Sequence, residues 1–212
     1  FWISLIYVYS QADVVSAYNY HNAGKLDKAK ISIDKAIENP KAVINAKTWY
    51  YRGNIYIDIS RSQDSVYKNL DSDALNNAHE AYNKALELDA KKEYKLDILQ
   101  RMPLVGDGYF NDGANKYNKG MNALTDIDTA QAIVYFGTSV NSFENAYKIY
   151  EESGRIDTTC IFYIASAAEL GQNYGKAKQS LEKLISMEYP EPSIYSSIGN
   201  ICYKQDKDVN KA

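Results

Sequence analysis

Apolar residues recur along this chain at intervals of four and then three, the spacing of one face of an α-helix. In AYNYHNAGKLDKAKISIDKAIENP, residues 17–40, Ala29, Ile33 and Ala36 share such a face behind an Asn-Ala-Gly-Lys turn. Pro40, which lacks an N–H, ends it. The pattern predicts a helical hairpin. A face of the same spacing returns in TWYYRGNIYIDI (48–59) as Trp49, Gly53 and Tyr56, followed by Ala78, Tyr82 and Ala85. It recurs as Phe110, Ala114 and Tyr117 with Ser139, Phe143 and Ala146, and as Ile161, Ala165 and Ala168 with Ala177, Leu181 and Leu184. Tyr195, Gly199 and Cys202 begin a further unit. Eleven Gly and four Pro against twenty Tyr also favour helices joined by short turns.

The expected organisation is hairpin 1 over 13–43, hairpin 2 over 46–90, a helical extension over 91–106, hairpin 3 over 107–155, hairpin 4 over 158–190 and a partial hairpin 5 over 192–212. The small-to-small interval is 12 in hairpin 1 (17 to 29) and hairpin 4 (165 to 177), but 25 in hairpin 2 (53 to 78) and hairpin 3 (114 to 139). Two insertions follow. SRSQDSVYKNLDSDA, 60–74, reads as loop with Asp71 or Asp73 capping the next helix, whereas 119–134 reads as a lengthening of both helices after a Thr125, Asp128 or Thr129 cap. Pro103 is expected to kink the extension or mark a restart, and to be the place of any hinge.

Trp49, Gly53, Tyr56, Ala78, Tyr82 and Ala85 resemble the signature W-x₂-L-G-x₂-Y…A-x₃-F of the tetratricopeptide repeat family, with Arg52 in place of its Leu. The recurrence in register extends the resemblance over about residues 10–212. It implies an all-α fold, a right-handed α-solenoid of stacked helical hairpins, in which each apolar face is buried only against its neighbours. The wording YKNLDSDAL…ALELD, with the apolar start of the chain, further resembles exported repeat proteins of Bacteroidetes-type bacteria.

Charge and chemistry narrow the function. A formal net charge of −3, with lysines spread among acids, offers no field for a phosphate backbone, so no nucleic-acid partner is expected. FWISLIYVYSQA, residues 1–12, resembles the apolar core and small-residue cleavage pattern of a secretory signal peptide, and is too short for an integral membrane span. Export to the periplasm or surface of a bacterium is the corresponding expectation, with a first helix packed on the bundle and a cytoplasmic location as the alternative. HEAYN (79–83) has Asn83 where a second metal-binding His must stand, and His21 lacks a partner at ligand spacing. The DSD and DID pairs lack the Gly and Glu of a calcium loop, and GDGYFNDG follows no strand. Cys160 and Cys202 read as packing residues. No metal, cofactor or catalytic group is expected, and the chain reads as a non-enzyme.

The family resemblance implies that the first helices of successive hairpins line a concave groove that takes a peptide or protein segment. Mapping that face gives Tyr18, His21 and Asn22; Tyr50, Asn54 and Ile57; Asn111, Asn115 and Asn118; Phe162 and Ser166; Asn200 and Tyr203. Asn both donates to and accepts from a peptide backbone, and Tyr supplies contact area at low entropic cost. Some family members grip a C-terminal carboxylate through a Lys one turn before the groove Asn. Here Tyr50, Asn111 and Ser196 occupy that place, so this clamp does not carry over. Exposed aromatics keep an outer-surface glycan binder as an alternative. The lack of an initiator Met and the stop within a hairpin equally suit the N-terminal repeat region of a longer enzyme or sensor.

Overall fold

The computed structural model describes the backbone of residues 2–209, and side chains from Ala12 to Lys204. The side chains of the signal-like residues 1–11, and those of 205–212 in the partial hairpin, lie outside the described residues. Ten helices follow one another among the described residues, with no strand: α1 Trp2–Asn22, α2 Leu26–Ile37, α3 Ala46–Arg61, α4 Ser65–Lys68, α5 Ala74–Leu88, α6 Lys95–Thr125, α7 Thr129–Glu152, α8 Thr158–Leu170, α9 Tyr174–Ser186 and α10 Ser193–Val209. The all-α class expected from the spacing is the observed one. Helices α1/α2, α3/α5, α6/α7 and α8/α9 are the hairpins, and residues 1–108 and 109–212 form two compact units.

In the first unit, α2 buries Leu26, Ala29, Ile33 and Ala36. Each Ile-sized side chain removed from water contributes about 1.5–3 kcal/mol. On α5 the buried stripe is Ala74, Ala78, Ala81, Tyr82 and Ala85. Gly53 of α3 faces Tyr82 so closely that a Cβ there would lie 2.5 Å from the ring, so only glycine permits this helix approach. The Tyr82 hydroxyl donates to Asn54 Oδ1 at 2.9 Å, which fixes the other end of the ring.

In the second unit, a Cβ on Gly113 would meet the Phe143 ring at 2.9 Å, and one on Gly120 would meet Phe136 at 2.8 Å. The Ser139 hydroxyl donates to the Gly113 carbonyl at 2.8 Å. The contact point of hairpin 3 is therefore Gly113, one residue before the expected Ala114, and its interval is 26 (113 to 139) rather than 25. Gly and Ala both suit a small-residue position; the Phe143 ring separates them. A one-residue shift also occurs in α10, where Ile194 and Ile201 are buried and Tyr195, expected to pack, is 65% exposed. Ile194 and Ile201 join the α8/α9 core without a hydroxyl to satisfy, whereas the Tyr195 hydroxyl stays in solvent.

The insertions differ as expected. Between Arg61, where α3 ends, and Ala74, where α5 begins, stands only the single-turn α4, whereas α6 and α7 are long and joined by a three-residue turn, with Asp128 accepting from the Gln131 N–H at 3.1 Å. Neither Asp71 nor Asp73 caps α5 through its side chain; Asp71 accepts from the Asp73 N–H instead. No restart occurs at Pro103, which lies inside the continuous α6.

Candidate functional site

The conspicuous surface of the first unit is a row of tyrosines. Tyr18 on α1 stacks on Tyr51 with ring centroids 5.0 Å apart, Tyr51 adjoins Tyr50 at 5.5 Å, and Tyr50 stacks on Tyr94 at 4.8 Å. The row exists because α3 packs between α1 and the start of α6, and because Tyr50 and Tyr51 sit in the second turn of α3. Tyr94 is held just ahead of α6 by Asp89, whose buried carboxylate accepts from the N–H groups of Glu93, Tyr94 and Lys95. Stacked rings of this kind form a rigid surface with few rotatable bonds.

Polar groups brace the row. The Tyr50 hydroxyl donates to Asp97 Oδ2 at 2.7 Å, and Arg101 Nε donates to the same oxygen at 2.7 Å. Burial and the Asp97 hydrogen bond push the Tyr50 phenol up. Burial acts to raise Asp97, but the bonds from Tyr50 and Arg101 outweigh it and hold its carboxyl below the usual range. Tyr94 is pushed up to about 12 by burial and then by Glu93. His21 Nε2 lies 2.6 Å from Asp58 Oδ2, a pairing of α1 with α3 across 37 residues of sequence that spacing alone did not suggest.

Behind the row lies a second network, centred on Asp34. It accepts from Lys30 at 3.0 Å, from Arg52 at 3.3 Å and from the Tyr56 hydroxyl at 2.8 Å. Arg52 also bonds to Asn77 and stacks 4.4 Å from the Tyr56 ring, while Lys30 reaches Asp71 of the first insertion at 3.4 Å. Arg52, the departure from the Leu of the repeat signature, thus ties α2, α3 and α5 together. Burial followed by the Asp34 bond pushes Tyr56 up to about 12; Lys30 is also raised, because Asp34 outweighs the opposing effect of burial.

The expected groove residues scatter. Tyr18 is 41% exposed and Asn22 is exposed; His21 and Tyr50 are half-buried and engaged as above. Asn54 and Ile57 are buried, at 5% and 0% exposure, a correction to their expected place on a groove face: both lie in the middle of α3, which neighbouring helices cover on several sides. In the second unit, Asn111, Asn115, Asn118 and Asn200 are exposed and Tyr203 is 60% exposed. Phe162 packs edge-on to Tyr163 and near Tyr189, and Ser166 shares a 3.0 Å hydrogen bond with Tyr117. With Gly113 as the contact point, the positions equivalent to Tyr50 and Ile57 become Phe110 and Tyr117, both packed against Tyr163. Tyr51, Tyr94, Asp58 and Asp97 were not found from sequence; the Tyr50-Tyr51 pair was their one visible signal.

Among the described residues, no group of three or more His, Cys, Asp or Glu is placed to hold a metal ion, and no helix is long and apolar enough to cross a membrane. Fold and site together define the class: an all-α protein built of consecutive helical hairpins. No protein-family model matches the chain, and no curated protein does. Among solved structures, 90% of the chain aligns with 96% of the chain of PilF from Pseudomonas aeruginosa, at 16% identity and a TM-score of 0.29. Likewise 91% aligns with 98% of PilW, a widely conserved type IV pilus biogenesis factor, at 15% identity and a TM-score of 0.29. At those scores neither likeness bears on function, and neither speaks to a Bacteroidetes-type origin; the class rests on the hairpins and their glycine–aromatic contacts.

Proposed function

We propose that this chain is a non-catalytic interaction scaffold that binds an extended segment of another protein on the first-helix face of its hairpins, in an exported bacterial setting. The observation that carries the reading is the row Tyr18, Tyr51, Tyr50 and Tyr94, drawn from α1, α3 and the approach to α6. Aromatic rings with hydroxyl edges offer both apolar contact and hydrogen bonds to a peptide backbone, the combination found in sequence-tolerant paratopes. Their flat faces are already stacked on one another, which favours a peptide lying across ring edges over a sugar ring stacked face to face. Exposed Asn111, Asn115 and Asn118 provide a comparable polar face on the second unit.

The test is a selection of random peptides displayed on phage against the full chain, followed by titration of the recovered peptides. Binding is expected to be lost on Tyr18→Ala and Tyr94→Ala while far-UV circular dichroism and melting stay near those of the parent. Recovery of no peptide, or of peptides indifferent to both variants, refutes the proposal. Saturable binding on a glycan array that is lost on Tyr18→Ala replaces it with the glycan reading.

A further inference from the structure

At the Tyr94 end of the tyrosine row the surface drops into a cleft of about 630 Å³ between the α2–α3 turn and the α5–α6 turn. Its lining carries Lys41, Lys47 and Lys91, together with Ile44 and Tyr94. Two carboxylates also line it, but Asp89 is buried and accepts three backbone N–H groups, so Glu93 is the exposed acid. On a chain whose formal net charge is −3, three lysines around one cleft are a local reversal of sign. The first turn of α3 brings its positive end to the cleft and the last turn of α5 its negative end, so the lysines set the sign. Lys47 connects the cleft to the row, because its ammonium lies 5.6 Å from the Tyr51 ring centroid.

We infer that this cleft reads an acidic residue in the bound segment, so that the partner of the tyrosine row is an acidic-aromatic or acidic-aliphatic peptide. The inference rests on the peptide-binding reading above and specifies its ligand. Adjacent rings are roughly 5 Å apart, so the row spans about four or five residues of extended chain at ~3.3 Å each. An Asp or Glu in the cleft is then followed, within about five positions, by apolar side chains against Tyr50, Tyr51 and Tyr18. The cleft differs in position from a carboxylate clamp on the inner helix face: its lysines come from two turns and the start of a helix. Ile44, 69% exposed at the cleft wall, offers the segment an apolar flank.

The peptides recovered from the phage selection decide the point. They are expected to be enriched in Asp and Glu, to weaken as salt rises, and to bind about tenfold or more weakly to Lys47→Glu/Lys91→Glu. A fresh selection against that double variant is expected to shift towards Lys and Arg. Both positions are exposed, so the variant tests charge and leaves the fold intact. Peptides that depend on Tyr18 and Tyr94 yet show no acidic enrichment, or that bind the double variant equally well, overturn the inference and leave the peptide-binding reading standing. Peptides that depend on neither overturn both.

Discussion

Replacing Gly53 with Ala tests the central contact of the first unit. The added Cβ would stand 2.5 Å from Tyr82 Cδ1 and Cε1 and 3.0 Å from Cγ. Carbon atoms prefer about 3.5–4.0 Å, so α3 or the ring must retreat by ~1 Å. The ring has nowhere to go: Tyr82 is 0% exposed, and its hydroxyl is held by Asn54. Overpacking of this kind costs about 1–3 kcal/mol, while Gly to Ala inside a helix returns ~1 kcal/mol, leaving a net loss of about 0–2 kcal/mol. Gly137 of α7 is the control, because a Cβ there meets nothing within 4 Å; Gly137→Ala is expected to stabilise by about 0.5–1 kcal/mol. Urea unfolding followed by far-UV circular dichroism gives both values, and the difference between them isolates the steric cost. In a Tyr82→Ala background the loss should vanish and Gly53→Ala should become stabilising. If Gly53→Ala stabilises the parent as much as Gly137→Ala does, the glycine–aromatic contact is not what sets the distance between α3 and α5.

Two further outcomes follow from the Asp34 network. Arg52→Leu restores the residue of the repeat signature yet should destabilise by about 1–3 kcal/mol, because it leaves Asp34 one donor short and takes away the partner of the Asn77 Oδ1 and carbonyl. A double-mutant cycle with Asp34→Asn should give a coupling of at least ~0.5 kcal/mol, and simple additivity would remove the pair from the account. Alkaline pH probes the same place. Tyr56 is raised from 10.0 to about 12 in the fold, so the folded state favours the neutral phenol; its stabilisation is complete below about pH 10 and fades as pH rises towards 12. Urea midpoints measured across that window should fall, and Tyr56→Phe should shallow the decline; an unchanged slope in the variant would assign the alkaline loss to other groups.

The second-helix faces were legible from spacing, because Ala29/Ile33/Ala36, Ala78/Tyr82/Ala85, Ser139/Phe143/Ala146 and Ala177/Leu181/Leu184 repeat a pattern that only a helix buries on one side. The first helices were harder. Helix α3 is covered by α1, α2 and α5, so every residue from Arg52 to Ile57 is buried, and no single face could be told from the others by periodicity. Hence Asn54 and Ile57 were misplaced on a groove. Hairpin 3 was read one residue late, because residue type alone accepts Gly113 and Ala114 alike.

The tyrosine row joins Tyr18, Tyr50, Tyr51 and Tyr94, the His21–Asp58 contact spans 37 residues, and Tyr50 finds Asp97 across 47. Local helix formation depends on side chains three and four positions apart, and that periodicity is written in the chain. Which helices touch, and at what rotation, depends on how side chains far apart in sequence fit together, as Gly53 fits against the Tyr82 ring. The row, the Asp34 network and the lysine-lined cleft each join residues of different elements, so they exist only once those elements are packed.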